Sequence, residues 1–185
     1  MRGPPAPEIF KAYDIRGLYG EQIDGDVAEL IGRAFARVLA RLAGKAPGEL
    51  RVGLGRDMRL TAPELSARYR DGLLREGASV IDAGEVGTEM LYFLVGSREL
   101  DGGLMCTASH NPKAYTGVKL VRDGAIALSG ESGIQDIRRT IEARLAQNGR
   151  AHTSTQKHGS LEEGDLYGEF QQAAMRFIDR DAVRS

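Results

Sequence analysis

Two hydrophobic rhythms take turns along this chain, and their alternation limits the fold more than any other feature. Short apolar runs bounded by glycine, LRVGLG (50–55), SVIDAG (79–84), DGGLMCTA (101–108) and TGVKLV (116–121), read as buried strands. Between them lie segments whose apolar residues return at helical spacing. From Asp26, Val27, Leu30, Ile31, Ala34, Val38 and Leu42 share one face, Asp26 with Glu29 resembles a capping box, and Gly44 marks the stop. Thr61, Pro63 and Glu64 open a second helix that turns Leu65, Tyr69 and Leu73 inward, and TEMLYFLVG (88–96) is a short helix apolar nearly all round. A further helix from about Glu131 to Leu145 lines up Ile134, Ile137, Ile141 and Leu145.

Strands alternating with helices predict an α/β protein, a three-layer α/β sandwich with helices covering a mixed sheet. The run TGVKLV is expected to return beside GLMCTA as a hairpin. Hydrophobic residues make up 42% and charged residues 28% of the 185 positions, an ordinary globular balance. The net charge of −1 gives no footprint for nucleic acid or a membrane surface. No apolar run is long enough to span a bilayer, and the Pro-rich start lacks a signal-peptide core. The single cysteine, Cys106, suits a reducing cytoplasm and reads as a buried small hydrophobe rather than a nucleophile.

After Ala146 the pattern lapses. Residues 147–164 are polar and aperiodic, read as a linker or flexible hairpin, and 165–185 as a helix with Leu166, Phe170, Ala173 and Phe177 on one face. A lone helix beyond a linker has little of its own to bury against, so 1–146 is expected to be one domain and 165–185 the start of another.

The chemistry concentrates in CTASHNPKAYTGVKL (106–120). Ser109 lies where a strand should end, the usual place for reactive loops in α/β folds. Pro112 stiffens the turn by restricting Asn111. A serine hydroxyl is a weak nucleophile without a base, a cation or an organised site. The flanking glycines of the serine-hydrolase elbow are missing, and a polar turn is the plain alternative. Two other segments, FKAYDIRG (10–17) with Asp14 and Arg16, and GRDMR (55–59) directly after a strand, read in isolation as local salt bridges.

Taken together and in this order, FKAYDIRG, GRDMR, TASHNP and GVKL resemble the α-D-phosphohexomutase superfamily, in its phosphomannomutase/phosphoglucomutase branch, over roughly residues 10–145. The resemblance implies the fold of that family's first domain. It also implies that Ser109 carries a phosphoryl group, held in part by Mg²⁺ at a phosphoserine oxygen. That group would pass to a hexose phosphate, giving a hexose 1,6-bisphosphate that returns its other phosphate and so interconverts hexose 1- and 6-phosphates. Arg16 and Lys119 match positions beside the phosphoserine, with roles in proton transfer or charge stabilisation, and His110 matches a site residue next to the nucleophile. Asn111, Arg56 and Tyr13 are the candidate substrate-binding residues. Arg56, Asp57 and Arg59 are assigned a structural or phosphate-orienting role rather than direct catalysis.

General physics fits those roles. Phosphoryl transfer asks mainly for positioning and positive charge. Arg16 offers a planar fork and Lys119 a point charge. On a strand, Lys119 projects opposite to Val118 and Leu120. The family's aspartate-rich metal loop and its later sugar-reading loops are absent from these residues. Asp24-Gly25-Asp26 is no substitute, because Asp26 reads better as a helix cap. The expectation is therefore an incomplete Mg²⁺ site, little mutase activity in the isolated chain, and the remaining domains of a longer polypeptide as partners. The alternatives are a non-catalytic sugar-phosphate-binding module, and a hydrolase using Ser109 or Cys106 with His110. The last is awkward because consecutive side chains usually point apart.

Overall fold

The computed structural model describes residues 3–147 and 158–179. Among these, seven strands form one mixed sheet with helices on both faces. In chain order the elements are β1 (Ile15–Leu18), α1 (Gly25–Ala43), β2 (Arg51–Arg56), α2 (Ala62–Arg75), β3 (Ser79–Glu85), α3 (Thr88–Ser97), β4 (Gly102–Cys106), β5 (Tyr115–Arg122), β6 (Ile126–Ala127), α4 (Gln135–Ala146), β7 (Leu161–Glu163) and α5 (Tyr167–Met175). The sheet order is β1-β5-β4-β2-β3-β7, with β6 pairing β5. The β4, β2, β3 and β7 neighbours run parallel, and β5 is antiparallel to both β4 and β1. The carboxyl ends of β1, β2, β3 and β4 therefore lie along one edge, where β5 begins.

Period-two alternation sorts the strand residues between the faces. Ile15, Val52, Leu54, Val80, Leu104, Cys106, Val118 and Leu120 join the buried sides of α1, α2 and α4 in one cluster. Met105, Val121 and Ile81 face the other way, toward α3 and the start of α5. The close packing of α1 on α2 depends on two glycines. A Cβ on Gly32 would lie 2.3 Å from the Tyr69 carbonyl oxygen, and one on Gly72 would lie 2.4 Å from that of Glu29.

The expected hairpin is present: β4 and β5 pair with Met105 opposite Lys119 and Cys106 opposite Val118. Five local expectations change. The cap of α1 is Asp24, whose carboxylate accepts from the Val27 amide, and Asp26 lies inside the first turn. Asp24 takes that place because its backbone is extended while the residues after it are already helical. Leu42 is 48% exposed, in a last turn of α1 whose residues 41–43 all face solvent, and Phe35 and Leu39 widen the buried face instead. Tyr92 and Phe93 are only half-buried, because α3 covers the sheet with one side. Within the stretch read as a linker, Leu161–Glu163 is a strand on the free edge of β3, for which backbone pairing suffices without an apolar pattern. The rest of that reading falls mainly on 148–157, outside the described residues, as do 180–185. Leu166 is buried and Phe170 packs edge-to-face on Phe93 at 5.6 Å, but Phe177 lies past the end of α5 and is 92% exposed.

Candidate functional site

The site is built at the carboxyl end of β4, where the chain must turn back into β5. The Thr107 amide still bonds to the Gly117 carbonyl at 3.0 Å, and from Ala108 the chain leaves the sheet. Ser109 then adopts a left-handed backbone with φ 53°, uncommon for any residue but glycine. The loop bonds to itself around that residue. The Ser109 amide donates to Thr107 Oγ1 at 2.9 Å, and the Asn111 amide and its Nδ2 both donate to the Ala108 carbonyl, at 3.1 and 2.8 Å. Ser109 and His110 are exposed, with Ser109 Oγ 3.3 Å from His110 Nδ1. These consecutive side chains meet, against the sequence expectation, because Ser109 is not extended and the alternation rule no longer applies.

Arg59 holds this loop from outside. Its Nη1 donates to the carbonyls of Pro112 and Tyr115, at 3.2 and 3.3 Å. Its Nη2 donates to those of Ser109 and Asn111, at 2.8 and 2.7 Å. Asp57 orients it: one carboxylate oxygen lies 3.4 Å from Arg59 Nε, and the other accepts from the Arg59 amide at 3.1 Å. Asp57 is tied to the strand end, since its amide donates to the Cys106 carbonyl at 3.0 Å. The sequence singled out GRDMR without showing what its second arginine grips. A planar fork directly after a strand was the available signal, but its partners are main-chain carbonyls, which carry no sequence signature.

Arg16 and Lys119 share a sheet face. Arg16 pairs with Gly117 across β1 and β5, and Lys119, two residues on, lies on the same side, so the two are diagonal neighbours roughly 7–8 Å apart. Gly117 is also the residue whose carbonyl receives the Thr107 amide, and Ser109 is two residues further along, a span of at most about 7 Å. Three candidates distant in sequence are thus gathered around one point of the sheet edge. Gly117 itself must lack a side chain, because a Cβ there would lie 2.3 Å from the Ile15 carbonyl oxygen and hold β1 away.

Around this point the charges are largely committed. Arg16 Nη2 bonds to the carboxylate of the buried Asp14. Arg16 Nε is buried and has no hydrogen-bond partner among the described residues. Arg56 bonds to the exposed Glu85 at 2.8 Å, a contact of the kind that exchanges readily with solvent. Together with Arg70, Asp82 and Tyr167 they line an open cleft of about 700 Å³. Tyr13 is 72% exposed on the loop before β1. Cys106 is buried as expected, and that burial, helped by the negative charge of Asp57, pushes its thiol up to about 12, which removes it as a nucleophile near neutrality. Among the described residues there is no group of three His, Cys, Asp or Glu side chains able to hold a metal ion.

Residues 7–148 match the family model described as phosphoglucomutase/phosphomannomutase, alpha/beta/alpha domain I. The chain belongs to the phosphoglucomutase/phosphomannomutase family. It is 39% identical over 170 residues to an Escherichia coli phosphomannomutase, covering 92% of this chain and 35% of that protein. With a Klebsiella pneumoniae phosphomannomutase it shares 45% over 133 residues, covering 72% of this chain and 80% of that protein. A Neisseria meningitidis phosphoglucomutase is 42% identical over 165 residues, with 89% and 33% covered. The crystal structure of a phosphoglucomutase/phosphomannomutase family protein from Burkholderia thailandensis superposes with a TM-score of 0.79 at 35% identity, covering 94% of this chain and 36% of that one. The chain thus spans about a third of the length of several relatives, and 80% of the Klebsiella protein. No helix among the described residues is long and apolar enough to cross a membrane.

Proposed function

We propose that this chain is the phosphoserine-bearing first domain of a phosphohexomutase, and that Ser109 Oγ is the phosphoryl carrier. The observation that carries the reading is the convergence of Ser109, Arg16 and Lys119 at Gly117. A bound phosphoryl group adds about −1.5 to −2 charges at one exposed loop, and these cations are what such a group requires. The unpartnered Arg16 Nε is a buried donor that a phosphate oxygen would satisfy.

In the proposed cycle a free hydroxyl of a hexose phosphate attacks the phosphorus on Ser109. The bond from phosphorus to Ser109 Oγ breaks as the bond to the sugar oxygen forms. The hydroxyl proton leaves the sugar oxygen, and Ser109 departs as an alkoxide that takes a proton. Arg16, whose guanidinium stays protonated, stabilises the charge, and Lys119 relays the proton. The hexose 1,6-bisphosphate then turns over, and its other phosphate returns to Ser109 by the same exchange, releasing the isomeric monophosphate. Mg²⁺ in this family's chemistry offsets phosphate charge. Of the residues described here only Ser109, through its phosphate, would contact it. The acidic ligands would come from elsewhere, and no step is assigned to the ion. The stretch from Asp165 onward would lead into the further domains that supply them and the sugar-reading loops, so the isolated chain is expected to show negligible mutase turnover.

Intact-mass measurement after incubation with a hexose 1,6-bisphosphate tests the carrier role. One phosphoryl increment, absent in Ser109→Ala, is the expected result. Tight hexose-phosphate binding with Ser109 never modified, even when the chain is joined to its remaining domains, would identify a binding module instead. Robust turnover by the chain alone in a coupled assay would overturn the assignment of essential groups to other domains.

A further inference from the structure

We propose that Arg59 is a positioning residue, whose guanidinium keeps Ser109 in its left-handed conformation, and that it does not bind the transferred phosphate. An arginine has five N–H donors in a rigid plane. Here Nη1 serves two carbonyls and Nη2 serves two more, while Nε faces Asp57. No donor is left over for a phosphate oxygen. The side chain is also only 18% exposed, sealed under the loop that it grips.

The four carbonyls belong to Ser109, Asn111, Pro112 and Tyr115, which bracket the whole turn from the nucleophile to the first residue of β5. An unsupported serine tends to leave the left-handed region, so something must hold it there. The loop's own bonds around Ser109 end on Thr107 and Ala108, upstream of it, and a separate bond from the Tyr115 amide to the Pro112 carbonyl closes the downstream half. Among the described residues only Arg59 ties the Ser109 carbonyl to that half. Asp57 fixes the fork to the ends of β2 and β4, so the parallel strands set the serine's conformation. A lysine has its three donors on one nitrogen and cannot reach four carbonyls in this arrangement.

The conformational half of the proposal stands on geometry, and the phosphate half rests on the phosphoserine reading, so two measurements are needed. Hydrogen–deuterium exchange on the chain reads the first. Arg59→Lys and Arg59→Met should speed exchange in the peptide spanning 107–115 by about tenfold or more, with peptides from α1 and α2 unchanged. Wild-type protection of that peptide in Arg59→Lys overturns the proposal. Should either variant unfold, NMR of the unmodified chain decides. Four separate Arg59 Nη–H resonances are expected for a clamped fork, and averaged ones overturn it.

Phosphorylation of Ser109 by a hexose 1,6-bisphosphate reads the second half. In Arg59→Lys the rate at saturation should fall about tenfold or more, with the half-saturating concentration unchanged. A raised half-saturating concentration with an unchanged rate would make Arg59 a phosphate ligand and overturn the proposal. If the wild type takes up no phosphoryl group even when joined to its remaining domains, the carrier reading fails, and the exchange result alone decides the role of Arg59.

Discussion

On one face of the sheet, apolar residues from β1, β5, β4, β2 and β3 meet α1, α2 and α4 in a single buried cluster. On the other face α3 packs on β2 and β4, the start of α5 joins it, and β1 contributes nothing to that cluster. The β1–β5 corner of this second face carries Arg16 and Lys119 where the first face carries Ile15, Val118 and Leu120. The same two strands therefore serve stability through one set of alternate residues and the candidate chemistry through the other. A cation can stand on the thin side without the desolvation cost it would meet under a full helical layer.

The contrast breaks most visibly in the thick layer. Phe35 is fully buried among α1, α2 and the sheet, so Phe35→Ala should cost about 3–5 kcal/mol in denaturant unfolding. If that loss were below about 1 kcal/mol, the first face would not carry the stability assigned to it. At the junction of the two faces, Gly117→Ala should cost about 2–3 kcal/mol, because the new methyl meets main-chain atoms of β1 that cannot rotate away. Faster amide exchange in Ile15–Leu18 than in β2 would locate the damage, and equal rates in both strands would contradict it.

Glu76 sharpens the picture of the helical layer. It follows α2 and accepts from Arg33 Nε and Arg37 Nε of α1, both at 2.7 Å, and from Arg144 of α4 at 3.4 Å. Burial pushes its carboxyl upward, but the hydrogen bonds from Arg37 and Arg33 outweigh this and leave it below its ordinary value. A depressed carboxyl contributes stability above its unfolded-state value, and that contribution is lost as pH falls through the folded-state value. Glu76→Gln should therefore lower stability at neutral pH by about 2 kcal/mol and flatten the acid limb of the stability profile. An unchanged acid limb would show that other carboxylates govern it.

The smallest effect on folding is expected on the thin side. Lys119→Met should shift unfolding by no more than about 0.5 kcal/mol, while slowing phosphoryl uptake at Ser109 by about 100-fold or more. A comparable loss of stability would mean that Lys119 is part of the packing rather than of the site.

How much of this was legible beforehand depended on the range of the interaction. The order of α1, β2, α2, β3, α3, β4, β5 and α4, the β4–β5 hairpin, burial of Cys106 and the opposite facing of Lys119 and Val118 followed from periodicity, which depends only on nearby residues. The strand β1, in a segment read as a loop, and the two-residue β6 did not. The cap at Asp24 was misplaced by two positions, because Asp26 fits the same local rule and only the backbone angles separate the two. The strand Leu161–Glu163 was missed because an edge strand needs backbone partners and no apolar pattern.

For the site, residue types and their order were enough to point to phosphate chemistry at Ser109, Arg16 and Lys119. Sequence could not bring them together, since the register that sets Arg16 against Gly117, and Gly117 against Thr107, is a property of the assembled sheet. Nor could it reveal the grip of Arg59, whose partners are four carbonyls that every sequence possesses. Side-chain pattern is written locally in the chain. Main-chain hydrogen bonds between distant segments exist only once the strands have chosen their neighbours, and that choice belonged to the tertiary structure.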